Sequence, residues 1–118
     1  MTVRPEIHFQ GFEPSDAVTA RVEEKFERLL RVANTISGCR VTIDLPHKHQ
    51  QKGRHYLVSI EVRMPGGDFN VNRDSPDPDH EDVYVALRDA FKAMERQLVH
   101  HVEKVKDHHP RDRNAPSS

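Results

Sequence analysis

The sequence predicts an α+β fold in the order β-α-β-β-β-α, a four-stranded sheet with two helices packed on one face. Three observations predict it. Apolar and polar residues alternate in four short segments, as in strands with one buried face. Two longer segments repeat apolar residues every three or four positions, as amphipathic helices do. The chain has 118 residues, a length that suits a single core.

The first strand is expected over residues 5–10, where Ile7 and Phe9 alternate with polar neighbours. Ser15 is a suitable N-cap for the helix that follows over residues 16–33. The apolar positions of this helix follow the helical period: Val18, Val22, Phe26, Leu29 and Ala33. A strand-helix-strand start predicts that the first two neighbouring strands are parallel.

Further strands are expected from Cys39 to Leu45, over residues 57–64 and around Phe69 and Val71, with the turn Pro65-Gly66-Gly67 before the last of them. A long second helix is expected over residues 80–107, with Asp79 as its N-cap. Its apolar positions fall in one arc: Val83, Leu87, Ala90, Met94, Leu98 and Val105. Each strand has one polar face and each helix one apolar side, so both helices are expected on the same face of the sheet. The residues expected on the open face are polar: His8, Arg40, Thr42, Asp44, Glu61, Arg63, Asn70 and Asn72.

We expect one domain over residues 1–107 and a disordered tail over residues 108–118, which lacks an apolar anchor. The N-terminus lacks the apolar stretch of a signal peptide and no apolar run is long enough to span a membrane. A cytoplasmic location and no membrane partner are therefore expected. The single cysteine, Cys39, is in phase with Val41 and is expected to be a buried apolar residue, not a nucleophile.

The formal net charge of −1 does not exclude a basic surface, because charge is segregated along the chain. Residues 37–73 hold six basic and three acidic residues. Five acids crowd into the stretch that follows: Asp74, Asp77, Asp79, Glu81 and Asp82. No glycine-rich phosphate loop and no Ser/His/Asp signature is present, so we expect neither enzyme activity nor a small-molecule substrate.

Basic residues recur on both helices and in the loop between the second and third strands. The residues concerned are Arg21, Lys25 and Arg28 on the first helix, Lys48, Lys52 and Arg54 in the loop, and Arg88, Lys92, Arg96 and Lys104 on the second helix. Phosphates along an RNA backbone are bound by cations spaced along a line. If the helices lie side by side, the two helical rows predict a groove that binds RNA. A solvated face with internal ion pairs is the alternative for the second-helix row, because acids interleave with it.

The loop from Pro46 to His55 is expected to be a mobile basic arm that reaches nucleic acid. Its histidines raise the alternative of a metal site made of His47, His49 and His55 together with His80. No carboxylate or cysteine completes a tetrahedral set at standard spacing. We therefore expect no metal and no other cofactor.

Several stretches resemble the family of ribosome hibernation-promoting factors and ribosome-associated translation inhibitors: EKFERLLRVANTISGCRVTI and DVYVALRDAFKAMERQLVHHVEKVK. A short-form subgroup of that family is still more similar over CRVTIDLPHKHQQKG, MPGGDFNVNR and HEDVYVALRDAF. Together these stretches cover most of residues 7–107. The resemblance implies a fold similar to a double-stranded-RNA-binding domain, without the ribosome-dimerising extension of long-form members.

The resemblance also implies a function. Members of this family sit in the channel of the small ribosomal subunit between head and body, overlap the mRNA and tRNA sites, and hold idle ribosomes inactive under stress. By position, basic residues of the family correspond to Lys25, Arg28, Arg96, His101, Lys104 and Lys106. The expected partner is therefore the small subunit and its rRNA. A general module for structured RNA, and a metal- or pH-responsive interaction protein acting through the histidine-rich loop, are the alternatives.

Overall fold

The structure, a computed structural model, describes residues 3–46, 55–72 and 82–108, with side chains in the last helix up to Lys104. Its elements, in chain order, are β1 (Glu6–Gln10), α1 (Asp16–Val32), β2 (Gly38–Asp44), β3 (Leu57–Met64), β4 (Gly67–Asn72) and α2 (Val83–His108). This order confirms the predicted fold class. His108, the first residue of the predicted disordered tail, belongs to α2, so the prediction is wrong at that residue. Residues 109–118 lie outside the described residues, and the single domain over 1–107 stays a prediction.

Side chains cap both helices, one of them as predicted. The Ser15 Oγ accepts a hydrogen bond from the backbone N–H of Val18 at 3.2 Å, which confirms it as the N-cap of α1. The second helix begins at Val83, later than the predicted residue 80. Its cap is Asp82, whose carboxylate accepts the N–H of Tyr84 at 2.8 Å. Asp79, the predicted cap, lies outside the described residues.

The four strands form one sheet in the order β1-β2-β3-β4. The edge strand β1 pairs in parallel with β2, with Ile7 opposite Val41, as the strand-helix-strand start predicts. The other two pairs are antiparallel. Between β3 and β4 the chain turns at Pro65 and Gly66, and Gly66 has a φ of 97°, a conformation that glycine adopts without steric cost.

One face of the sheet is covered by both helices, and the core lies between. The sheet residues buried there alternate along the strands: Cys39, Val41, Ile43, Val58, Ile60, Val62, Met64 and Val71. The helix residues that meet them are Val18, Val22, Phe26 and Leu29 from α1, and Ala86, Leu87, Ala90, Phe91, Met94 and Leu98 from α2. All eight residues predicted on the open face are exposed or half-buried. The predicted placement of both helices on one face is therefore confirmed.

Cys39 lies in this core with 8% of its surface exposed. Burial raises the pKa of its thiol to about 12, because an apolar surrounding disfavours the charged thiolate. The prediction that Cys39 is a buried apolar residue is confirmed. Within the described ranges, no helix combines the length and apolar character needed to cross a membrane.

Candidate nucleic-acid interface

The two helices lie side by side, and the contacts of two arginines of α1 with side chains of α2 show how the helices align. The Cζ of Arg21 on α1 lies 4.7 Å from the ring centre of Tyr84 on α2. Further along both helices, the Nε of Arg28 lies 3.7 Å from Oε1 of Glu95. From the first contact to the second, the residue numbers rise on both helices, so α1 and α2 run in the same direction. The two cationic rows predicted from the sequence therefore meet along a shared boundary.

At this boundary lies an interhelical cleft of about 110 Å³. Its lining residues are Lys25, Arg28 and Leu29 from α1, and Arg88, Phe91, Lys92 and Glu95 from α2. Leu29 and Phe91 are buried core residues, so they close the floor and leave the charged side chains around the rim. Four cations and one carboxylate line the cleft among the described residues. The structure thus brings together four of the predicted site residues.

Acidic neighbours neutralise this cationic boundary only in part. Besides Arg28, which pairs with Glu95, Arg88 places Nη2 3.1 Å from Oδ1 of the adjacent Asp89. Arg28 and Arg88 have 71% and 52% of their side-chain surface exposed, and exposed ion pairs contribute little stability. In the part of the chain that the structure describes, neither lysine of the cleft has a carboxylate within 4.0 Å. The arginines can therefore exchange a carboxylate for a phosphate at small cost, and among the described residues the lysines have no carboxylate to exchange.

The rest of the cationic row on α2 turns away from the cleft. Residues four apart on a helix are displaced by about 40° around its axis, so Arg96 and Lys104 point progressively away from α1. Both are exposed. They turn toward the side of α2 that faces strand β4, at the edge of the sheet. Gln97, the residue after Arg96, marks this side, because its Nε2 donates a hydrogen bond to the carbonyl oxygen of Asn70 on β4 at 3.1 Å. Only the first part of the predicted row, Arg88 and Lys92, lines the cleft.

His101 lies against the sheet, away from the cleft lining. Its ring centre is 5.1 Å from that of Phe69 on β4, in an edge-to-face arrangement, and the side chain is half-buried. Packing therefore accounts for its position.

The remaining predicted residues lie where side chains are not described. Lys106 lies in α2 beyond the last described side chain, and Lys48, Lys52 and Arg54 lie outside the described residues. The same holds for three of the four histidines of the metal alternative, His47, His49 and His80. Among the described residues, no group of three His, Cys, Asp or Glu side chains could hold a metal ion.

Two aromatic residues of this boundary, Tyr84 and Phe91, were not predicted as part of the site. Tyr84 precedes Arg88 by four residues and Phe91 follows it by three, the spacings that place side chains on the same side of a helix. The signal was therefore present in the spacing. What the spacing does not show is which side of α2 faces α1.

Comparisons with known proteins agree with this architecture. A family model described as "Sigma 54 modulation protein / S30EA ribosomal protein" matches residues 6–106. Over 89 residues the chain is 30% identical to a curated protein of Deinococcus radiodurans named "Ribosome hibernation promotion factor". That match covers 75% of this chain and 44% of the relative, so the chain spans less than half of the relative's length.

Two solved structures are similar over 86% of this chain and 99% of their own chains. One is the N-terminal domain of Protein Y from Thermus thermophilus, at 26% identity and a TM-score of 0.65. The other is a ribosomal subunit interface protein from Coxiella burnetii, at 20% identity and a TM-score of 0.68. At that lower identity, the second likeness shows the fold alone.

Proposed function

The chain belongs to the Sigma 54 modulation protein / S30EA ribosomal protein family, and on that premise we propose that it binds the small ribosomal subunit through its rRNA and promotes ribosome hibernation under stress. The family match confirms the resemblance noted in the sequence. The relative from Deinococcus radiodurans carries hibernation in its name, and that name supports the proposal.

The observation that carries the proposal is the interhelical cleft with its four cations, Lys25, Arg28, Arg88 and Lys92. Each cation that neutralises a phosphate releases counterions, which favours binding at low salt. A cleft of this kind recognises the path of the sugar-phosphate backbone and no particular base, since contacts to phosphates position a protein without reading sequence. Specificity for the ribosome then comes from the shape of folded rRNA.

Silencing requires only that the bound protein occupy space. A protein held in the channel between head and body of the small subunit excludes mRNA and tRNA from the sites that it overlaps. No bond is made or broken in this proposal, and its setting is the cytoplasm, where ribosomes are found. The cationic boundary faces the rRNA, while the open face of the sheet, with its mixed charges, faces away from the cleft.

Co-sedimentation with purified small ribosomal subunits tests the proposal. The wild-type protein is expected to pellet with the subunits at low salt and to be displaced as salt rises. Lys25→Gln combined with Lys92→Gln removes two contacts and is expected to weaken binding about ten-fold or more at 0.1 M salt. Arg40→Gln combined with Arg63→Gln is the matched control, because it also removes two positive charges, from exposed side chains that lie on the open face of the sheet.

Two results would contradict the proposal. The first is a protein that stays in the supernatant at every salt concentration. The second is equal affinity for small subunits and for an RNA duplex of arbitrary sequence, which would indicate a general RNA-binding module. Translation in a reconstituted system adds a functional readout, since the wild-type protein is expected to inhibit it and the double variant to inhibit it less.

A further inference from the structure

We infer that Tyr84 is a positioning residue that holds the guanidinium of Arg21 beside the interhelical cleft, in the orientation needed to bind a backbone phosphate. The inference rests on the proposed function, since the phosphate belongs to the rRNA of the small subunit. It goes further by giving a role to an aromatic residue that carries no charge. It also makes the start of α2 part of the binding surface.

The contact joins two helices through one arginine. The Cζ of Arg21 lies 4.7 Å from the ring centre of Tyr84, within the range of cation–π attraction. The ring itself is held in place, because Tyr84 is half-buried and packs against the core. Its backbone is fixed as well, through the N–H that Asp82 accepts at the helix start. Arg21 therefore contacts a ring whose own position is fixed by the core and by the helix start.

The contact with the ring leaves the arginine free to bind. A cation–π contact is an attraction between the charge and the ring and does not use up a hydrogen-bond donor, so the N–H donors of the guanidinium group remain available for the two oxygens of a phosphate. The Nε of Arg21 lies 3.5 Å from Oε1 of Glu24. That carboxylate is 74% exposed, so a phosphate can replace it.

The position of Arg21 extends the line of cations on α1. Arg21 precedes Lys25 by four residues and Lys25 precedes Arg28 by three, which puts all three on the side that faces α2. At about 1.5 Å per residue, they are spaced about 6 Å and 4.5 Å apart along the axis. A long exposed arginine without the ring would sample many rotamers, and ordering it on binding would cost affinity.

A double-mutant cycle on purified small subunits tests the inference. Tyr84→Leu removes the ring and keeps an apolar side chain, and is expected to weaken binding about two- to five-fold. Arg21→Ala is expected to weaken binding and to lower the slope of log affinity against log salt by about 0.9. In the Arg21→Ala background, Tyr84→Leu is expected to have no further effect. Tyr84→Phe keeps the ring and is expected to restore the affinity.

Two further measurements separate positioning from a merely structural role. The Arg21 Nε–Hε resonance is expected to be displaced by the ring current in the wild type and in Tyr84→Phe, and to lose that displacement in Tyr84→Leu. Arg21→Lys keeps the charge but not the planar fork, so it is expected to keep the salt slope and lose about two- to five-fold in affinity. This variant leaves the core intact, so wild-type affinity in it would overturn the inference even if Tyr84→Leu does not fold.

Tyr56→Leu serves as the matched control, since Tyr56 is also half-buried and contacts an aromatic ring, Phe12, at 5.2 Å. Its effect on affinity is expected to be independent of Arg21. Additive effects of Tyr84→Leu and Arg21→Ala, or wild-type affinity in Arg21→Lys, would overturn the inference while leaving the proposed function intact. A wild-type protein that does not bind subunits would overturn both.

Discussion

Removing the carboxylate of Glu95 is expected to strengthen RNA binding, which is the opposite of what most substitutions in a binding site do. Glu95 is the one acidic residue among the described residues that line the interhelical cleft. Its Oε1 lies 3.7 Å from Nε of Arg28, so it competes with a phosphate for that arginine. Glu95→Gln keeps the size and polarity of the side chain and removes the charge.

The magnitude follows from the geometry. The side chains of Arg28 and Glu95 are 71% and 33% exposed, so their pairing contributes about 0–1 kcal/mol. Breaking it before a phosphate binds therefore costs at most about five-fold in affinity. If Arg28 then neutralises one more phosphate, the slope of log affinity against log salt steepens by about 0.7–0.9. Between 50 and 200 mM salt, that change corresponds to about three-fold.

Affinity for purified small subunits, measured by fluorescence anisotropy of labelled protein across a salt series, checks this expectation. Glu61→Gln makes the same change in net charge on the open face of the sheet, where Glu61 is exposed, and controls for a general electrostatic effect. Unchanged or weaker binding by Glu95→Gln, or an equal gain in Glu61→Gln, would refute the reasoning. In an Arg28→Gln background the gain from Glu95→Gln is expected to shrink.

Four further predictions concern the fold. Gly11 has a φ of 84° and a Cβ built there would lie 2.1 Å from the carbonyl oxygen of Leu45, so Gly11→Ala is expected to lower the free energy of unfolding by well over 1 kcal/mol in urea titrations. Gly38→Ala, where the added Cβ meets its nearest atom at 3.8 Å, is expected to change it by less than about 1 kcal/mol. Leu98 is fully buried, and Leu98→Ala is expected to cost about 2–5 kcal/mol, visible as a lower thermal midpoint; a shift as small as that of Gly38→Ala would contradict the core assignment. The raised pKa of the Cys39 thiol means that the unfolded chain loses this proton near its ordinary pKa of 9.0 while the folded chain keeps it up to about 12. The free energy of unfolding is therefore expected to fall by about 1.4 kcal/mol per pH unit between these two pKa values. If a Cys39→Ala variant loses as much stability with rising pH as the wild type does, groups other than Cys39 cause the loss.

Local patterns were sufficient for most of the fold. Period-two alternation identified the strands, because each strand has only one face against the core. Ser15 was identified as the cap of α1 because it precedes the apolar period and is followed by Asp16, an acid suited to the first turn of a helix. At α2 the same reasoning missed the start. Several aspartates precede that helix and each can cap, so the local sequence does not choose between Asp79 and Asp82.

The candidate site was predicted in part. Lys25, Arg28, Arg88 and Lys92 were identified from their spacing, and all four line the interhelical cleft. Tyr84 and Phe91 were missed because an aromatic residue at helical spacing is equally consistent with the core. The acidic residue that matters most, Glu95, was visible only as one of several acids interleaved with the cations. Its pairing with Arg28 joins positions far apart in the chain.

The sequence by itself determined the order of elements, the buried face of each strand and the family, since these depend on periodicity and on neighbours a few residues away. Only the tertiary structure decided which charges meet. A row of residues four apart drifts by about 40° per step around a helix, so the packing of α2 against α1 selects Arg88 and Lys92 for the cleft and turns Arg96 and Lys104 away. The rotation of a helix about its own axis is set by the side chains it packs against, and those belong to distant parts of the chain.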